Sequence, residues 1–185
     1  MGKLYEEITP ELAVWVKQQR VFFVATAPRG DDGHVNCSPK GLDTLRILGS
    51  RHIAYLDLTG SGAETIAHLR ENGRIVFMFC AFSGLPKIVR FHGQGEVVTP
   101  GSPAWSRLGP LFPEYPGART IIHVEVTRIS DSCGYGVPKF EYTEERDTLK
   151  RWAETKGVDR LPLYRRQNNA RSIDGLPSLD PEKTP

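Results

Sequence analysis

Three short segments of the 185-residue chain carry residue types able to hold an anion or a flat ring. The first is Asn36-Cys37-Ser38-Pro39-Lys40-Gly41. Lys40 offers a mobile positive charge and Ser38 a hydroxyl donor, which suit a phosphate or an anionic ring oxygen. The same residue types also make an ordinary exit from a strand into a turn. The second is Thr59-Gly60-Ser61-Gly62-Ala63-Glu64-Thr65. Its two glycines permit close backbone approach, and a helix starting there aims unpaired N–H groups at the loop. Thr59, Ser61 and Thr65 add hydroxyls. An equally good reading makes Ser61 the helix cap and Glu64 its capping-box partner. The third is Ser132-Cys133-Gly134-Tyr135-Gly136-Val137-Pro138, where two glycines and a proline constrain Tyr135. A tyrosine held this way can stack on a ring or shape a contact between two copies of the chain.

A basic cluster, Arg165 and Arg166 with Arg160 and Arg171 nearby, serves either a phosphate or solvation. His68, His92 and His123 belong to no compact metal motif, and the cysteines at 37, 80 and 133 have no ligand spacing. No metal site is expected. A net charge of +2 without a concentrated basic stripe speaks against a nucleic-acid partner. No apolar run reaches the roughly 20 residues a bilayer requires, so no membrane association is expected. Glu6, Glu7, Pro10 and Glu11 interrupt any signal-peptide pattern, and the odd cysteine count argues against a disulfide framework. A cytoplasmic, reduced protein is the expectation.

The elements that must position these segments are mostly strands. Val21–Ala27 is rich in Val and Phe, His34–Ser38 can return from the polar turn as a second strand, and Ile53–Leu58, Arg74–Phe82, Lys87–Val98 and Arg119–Ile129 read as further strands. Pro39 is expected to end the second of them. Ser83-Gly84-Leu85-Pro86 marks a hairpin, and Gly93 with Gly95 marks a bulge or a close backbone approach. Helices are predicted after Thr9, over Ala63–Glu71, over Ser102–Leu111, and in the C-terminal region over Glu144–Lys156 and Asp159–Ala170. The strands are not followed by regular crossover helices, so a barrel or strongly curved antiparallel sheet is favoured over a doubly wound one. Residues 1–175 read as one domain and 176–185 as a flexible tail.

Taken together, these segments resemble the pyridoxamine 5′-phosphate oxidase-like family of FMN-binding split barrels. The resemblance runs over about residues 15–130. It is carried by Val21-Phe22-Phe23-Val24-Ala25-Thr26-Ala27 and His34-Val35-Asn36-Cys37-Ser38-Pro39-Lys40-Gly41. Tyr55-Leu56-Asp57-Leu58-Thr59-Gly60-Ser61-Gly62 and Asp131-Ser132-Cys133-Gly134-Tyr135-Gly136-Val137-Pro138 complete it. The resemblance implies a mainly β, six-stranded antiparallel Greek-key split barrel with small peripheral helices. It further implies a homodimer with FMN in clefts between subunits. On that analogy Ser38 and Lys40 lie near the flavin and its phosphate. Thr59, Ser61 and Thr65 help hold the phosphate and ribityl chain, and Arg90 lies close to the cleft. Tyr135 and Trp152 are candidate aromatic walls.

The sequence departs from the vitamin B6 oxidases. Their Arg–Lys pair for the FMN phosphate is replaced by Glu64 and Thr65, and the C-terminal sequence looks different from their basic segment. Vitamin B6 oxidation is therefore not expected. The implied activity is an FMN-dependent oxidoreductase acting on a small molecule, with NAD(P)H a candidate. The alternatives are a flavin-binding or sensing protein without turnover, and a split barrel for deazaflavin or haem.

Overall fold

The computed structural model describes residues 2–180. Thr9 caps the first helix: its Oγ1 accepts from the Leu12 N–H at 3.3 Å, and Pro10 takes the first helical position of α1 (Pro10–Lys17). The strands are β1 (Leu4–Tyr5), β2 (Phe22–Thr26), β3 (Asn36–Lys40), β4 (Leu45–Ile47), β5 (His52–Leu58), β6 (Arg74–Cys80), β7 (Ile88–Val98) and β8 (Ala118–Ser132). They form one eight-stranded antiparallel sheet in the order β3-β2-β6-β7-β8-β5-β4, with β1 added against β8. The expected six strands are β2, β3 and β5 to β8. The other two, β1 and β4, are pieces of two and three residues, too short to show a period.

Pro39 does not end its strand. Lys40 still pairs with Phe22, because β3 is an edge strand and the missing N–H of a proline costs no ladder bond there. Gly93 does mark a bulge: the β7–β8 register shifts between His92 and Gly93, and a Cβ on Gly93 would meet the carbonyl of Glu125.

The barrel interior is filled. Phe22, Tyr55, Phe77, Phe79 and Phe91 pack as one aromatic cluster, with Phe22–Tyr55 and Tyr55–Phe77 edge to face at 6.0 and 5.7 Å between ring centres. Each fully buried ring of this size contributes about 1.5–3 kcal/mol. Helix α1 adds Leu12 and Val16, and α2 (Glu64–Asn72) adds Ile66 and Leu69. Gly73 ends α2 in the left-handed conformation, at φ 72°. A ligand must therefore bind outside this core.

A second, smaller core lies outside the barrel. Ala54, Leu56 and Ile121 are covered by the connection between β7 and β8, which contains α3 (Pro103–Leu108) and supplies Trp105, Leu108, Phe112 and Tyr115. These aromatic residues are thus folded over the chain's own sheet. The C-terminal region contains α4 (Thr148–Asn168), broken at Gly157 into two arms where φ is 69°. The break matches the two helices read from the sequence, although residues 144–147 stay outside the first arm.

The expected tail is placed differently. Leu179 is 2 % exposed within the main core, and the Ser178 and Leu179 N–H groups donate to the carbonyls of Ala170 and Asn169. Residues 176–180 belong to a packed strap; residues 181–185 lie outside the described residues.

Candidate functional site

The two ends of the open sheet come together through side chains. Alternation on β3 directs Asn36, Ser38 and Lys40 inward. Asn36 Nδ2 donates to Thr65 Oγ1 at 3.0 Å, and Ser38 Oγ donates to Asn36 Oδ1 at 3.0 Å. Lys40 Nζ lies 3.4 Å from Asp57 Oδ1 and 5.7 Å from the centre of the Tyr55 ring. Asp57 is 1 % exposed; its Oδ2 accepts from Arg119 Nε at 2.6 Å and from Thr120 Oγ1 at 3.3 Å. Burial pushes the Asp57 carboxyl up, but the neighbouring Arg119 and Lys40 charges outweigh it and hold the group below the usual carboxylate range.

The chain of polar contacts continues toward the 59–65 loop. Arg119 Nη1 donates to Asn169 Oδ1 at 2.9 Å, and Asn169 Nδ2 to the Gly60 carbonyl at 3.0 Å. Arg165 Nε donates to Thr59 Oγ1 at 2.9 Å, and Thr59 Oγ1 in turn donates to the Gly117 carbonyl at 2.7 Å. Asp57, Arg119, Thr120 and Asn169 were not among the candidates read from sequence. The available signal was a charged residue at a buried alternation position in each of two apolar strands.

Beside this network opens a cleft of about 1070 Å³. Lys40, Gly41, Leu56, Leu58 and Gly60 line it on the barrel side, and Phe23 and Pro39 reach it from the outer face of the sheet. Its far wall is aromatic. Trp152 is wedged edge to face against Tyr164 at 5.0 Å, which joins the two arms of α4. Phe140 packs on Phe82 at 5.3 Å while its N–H donates to the Phe82 carbonyl. Arg20 sits 4.8 Å over the Tyr142 ring.

The seven sequence-derived candidates separate. Of them, Lys40 alone lines the cleft. Ser38 and Thr65 meet through Asn36, bridging β3 to α2. Thr59 is buried and held by Arg165 and Gly117. Ser61 is exposed and does not cap α2; Ala63 occupies the cap position without a side-chain bond. Arg90 pairs with Met78 and, one strand further, Met78 with Phe23, so Arg90 faces outward, away from Lys40, and donates to Ser132 Oγ at 3.1 Å. Tyr135 is 82 % exposed and lies outside the cleft. Trp152, in contrast, is one of its walls.

The ring end of a flavin fits this cleft: the volume, the aromatic walls and a lysine with spare donors match a flat heterocycle with polar edges. The phosphate end does not fit the 59–65 loop. Thr59 and Thr65 hydroxyls are engaged inside the protein. The Glu64 carboxylate lies over Gly62 at the start of α2 and accepts from the Ile173 N–H at 3.3 Å. Among the described residues no group of His, Cys, Asp or Glu is arranged to hold a metal ion, and no helix is long and apolar enough to cross a membrane.

An antiparallel sheet curled around an aromatic core, with β3 and β4 as its two ends and a ring-sized cleft beside β3, defines a split-barrel protein. The chain belongs to the pyridoxamine 5′-phosphate oxidase-like FMN-binding split-barrel family, whose pattern matches residues 8–133. It is 40 % identical over 199 residues to the pyridoxamine 5′-phosphate oxidase family protein ustO of Aspergillus flavus, covering 97 % of this chain and 78 % of the fungal protein. Among solved structures it resembles HupZ from Group A Streptococcus, with TM-score 0.51 and 24 % identity over 66 % of this chain and 91 % of HupZ. A pyridoxamine 5′-phosphate oxidase-like protein of Lactobacillus delbrueckii gives TM-score 0.52 and 19 % identity over 69 % and 98 %. At these identities the solved structures establish the fold. The family pattern stops before α4 and the strap, whereas the match to the fungal protein must include most of both.

Proposed function

We propose that this protein is a flavin-dependent oxidoreductase that seats the flavin ring in the cleft beside Lys40. The observation that carries the proposal is the position of Lys40 at the floor of an aromatic-walled cleft, its ammonium oriented by the buried Asp57 carboxylate. A bound flavin supplies reversible hydride or electron transfer. The protein supplies position, polarity and access. Lys40 would offer positive charge to a ring seated in the cleft, and a cation beside a reduced, anionic ring would favour the reduced form. Trp152, packed against Tyr164, and the Phe140–Phe82 pair would shield a ring seated in the cleft from water. FMN is the form the family implies, and NAD(P)H is a candidate hydride donor.

The proposal extends to a homodimer with the cleft at the subunit interface. It is supported by a strip of half-buried apolar side chains, Phe23, Ala25, Val76 and Met78, on the outer faces of β2 and β6. Phe23 belongs to both the strip and the cleft.

The test is the visible spectrum of the purified protein, with added FMN if it is colourless, followed by anaerobic NAD(P)H. Flavin absorption that bleaches on NAD(P)H and returns with an acceptor is the expected result. Flavin absorption that never bleaches favours a binding protein without turnover. A deazaflavin or haem spectrum, or no binding of any flavin, rejects the proposal.

A further inference from the structure

The 59–65 loop and the start of α2 are already occupied by the chain itself. The Glu64 carboxylate lies beside Gly62, at the position a Cβ there would take, and puts negative charge in the first turn of α2, the charge a helix N-terminus attracts. The strap then closes the same place from outside. Asn169 holds the Gly60 carbonyl, Ser178 Oγ donates to the Ala63 carbonyl at 2.9 Å, and the Ile173 N–H reaches Glu64. Asp174 ties the strap to the start of β3: it accepts from the His34 N–H at 2.9 Å and faces His34 Nδ1 at 2.6 Å. Leu179, buried in the main core, anchors the far end. The result is a loop braced at Gly60, Ala63 and Glu64, with Ser61 exposed and two carboxylates, Glu64 and Asp174, held beside it by the strap.

We infer that Glu64 and the Asn169–Leu179 strap are specificity elements that exclude a terminal phosphate, so that the ligand of the cleft is a flat heterocycle whose chain ends near Gly60 in an uncharged group. For a flavin this means the dephosphorylated, riboflavin class. The identification of the ring as a flavin rests on the proposed function above; the exclusion of phosphate rests on the strap alone. It follows from the chemistry of the contacts: a phosphate would have to displace Glu64 from the helix terminus and bring further negative charge beside Asp174. Among the described residues, neither carboxylate has an Arg or Lys partner that would offset this.

The experiment compares riboflavin and FMN by fluorescence titration, and separately follows the backbone amides of residues 60–65 by NMR as inorganic phosphate is added. Wild type should bind riboflavin about tenfold more tightly than FMN and show no phosphate-induced shifts, because the phosphate makes no charge-assisted contact and meets the Glu64 and Asp174 charges. The double variant Glu64→Gln with Asp174→Asn removes both charges while keeping the hydrogen-bond shapes. It should gain FMN preference by about tenfold, the effect of one such contact, and its 60–65 amides should move with phosphate. Wild-type affinity for FMN equal to or greater than that for riboflavin, or phosphate-induced shifts in wild type, overturns the inference. So does a double variant, folded by its amide spectrum, that responds to phosphate no more than wild type. If neither flavin binds, the proposed function fails, and the phosphate titrations of the two proteins still decide the inference.

Discussion

Asp57 and Arg119, on neighbouring strands, meet at 2.6 Å with both side chains almost wholly buried, and Lys40 shares the same carboxylate from the opposite edge of the sheet. The barrel is thus held together across its open side by one acid between two bases. Removing one partner of a buried pair leaves an uncompensated charge, which costs about 3–5 kcal/mol. Asp57→Asn should lower the unfolding free energy by that order, measured by urea denaturation.

The same pair fixes a pH dependence. Burial opposes ionisation of Asp57, but Arg119 and Lys40 prevail, so its folded pKa is depressed. The stability it contributes is complete above the unfolded carboxylate value of about 3.9 and is lost as pH falls through the lower folded value. Wild type should therefore lose this increment only in the acid limb below that value. In Asp57→Asn the corresponding fall should be missing. Parallel pH curves for the two proteins would remove Asp57 from the account.

Lys40 differs from Arg119 in being partly exposed to the cleft. Lys40→Ala should leave the fold intact and weaken flavin binding by about 1.5–3 kcal/mol, the worth of a hydrogen bond involving a charged group. Lys40→Arg need not restore affinity, because the planar guanidinium presents its donors differently. Fluorescence titration with riboflavin tests this, and unchanged affinity in Lys40→Ala would place the ring elsewhere.

Most of the barrel was legible from residue pattern, since five strands alternate or run apolar over five residues or more, while β3, Asn-Cys-Ser-Pro-Lys, reads only as the return from the polar turn before it. Strands β1 and β4 lacked the length to show a pattern, and Pro39 was misread because edge position is a property of the sheet. The site was legible at Lys40, which lines the cleft, but the contacts that orient Lys40, with Tyr55 and Asp57, come from another strand. It was not legible at Asp57, Arg119 and Asn169, because their contacts join residues 62 and 50 positions apart. The Ser61–Glu64 pattern matched a capping box, yet tertiary contacts with the strap drew Glu64 to Ile173 and left Ser61 exposed. The aromatic residues between Trp105 and Tyr115 pack on an outer apolar face of the sheet that the sequence did not reveal as such.

His68 offers an independent pH test. It is fully buried in α2, its Nδ1 lies 2.9 Å from Thr26 Oγ1, and its Nε2 has no hydrogen-bond partner among the described residues. Burial lowers its pKa, against the pull of Asp174, Glu64 and Glu71. A histidine kept neutral in the folded state gives stability that is complete above its unfolded value of about 6.5 and declines as pH falls toward the lower folded value. His68→Asn, which retains a nitrogen near Thr26, should flatten the stability curve over that window. His92 is also depressed by burial and titrates in both proteins, so it cancels in the difference. A difference curve that is level across the window would assign the dependence to other groups.

The final prediction concerns association. With the Trp105–Tyr115 connection folded onto its own sheet, the surface left for a second copy is the outer face of β2 and β6, where Phe23 and Met78 are direct cross-strand partners and both half-buried. A stable homodimer buries about 1,600 Å² in total, with apolar side chains at the centre of the patch. Phe23 is in that strip and also lines the cleft, so a ligand in the cleft should touch the interface and be linked to association by mass action. The protein should sediment as a dimer at micromolar concentration, and added riboflavin should shift the equilibrium further toward the dimer. Met78→Glu, which places a charge in the strip without touching the cleft lining, should give a folded monomer with weakened flavin affinity. Trp105→Ala should instead lower stability and leave the sedimentation coefficient of the folded protein unchanged, because Trp105 packs within the chain. A wild-type protein that sediments as a monomer at micromolar concentration with full flavin occupancy would show that one chain builds the whole site.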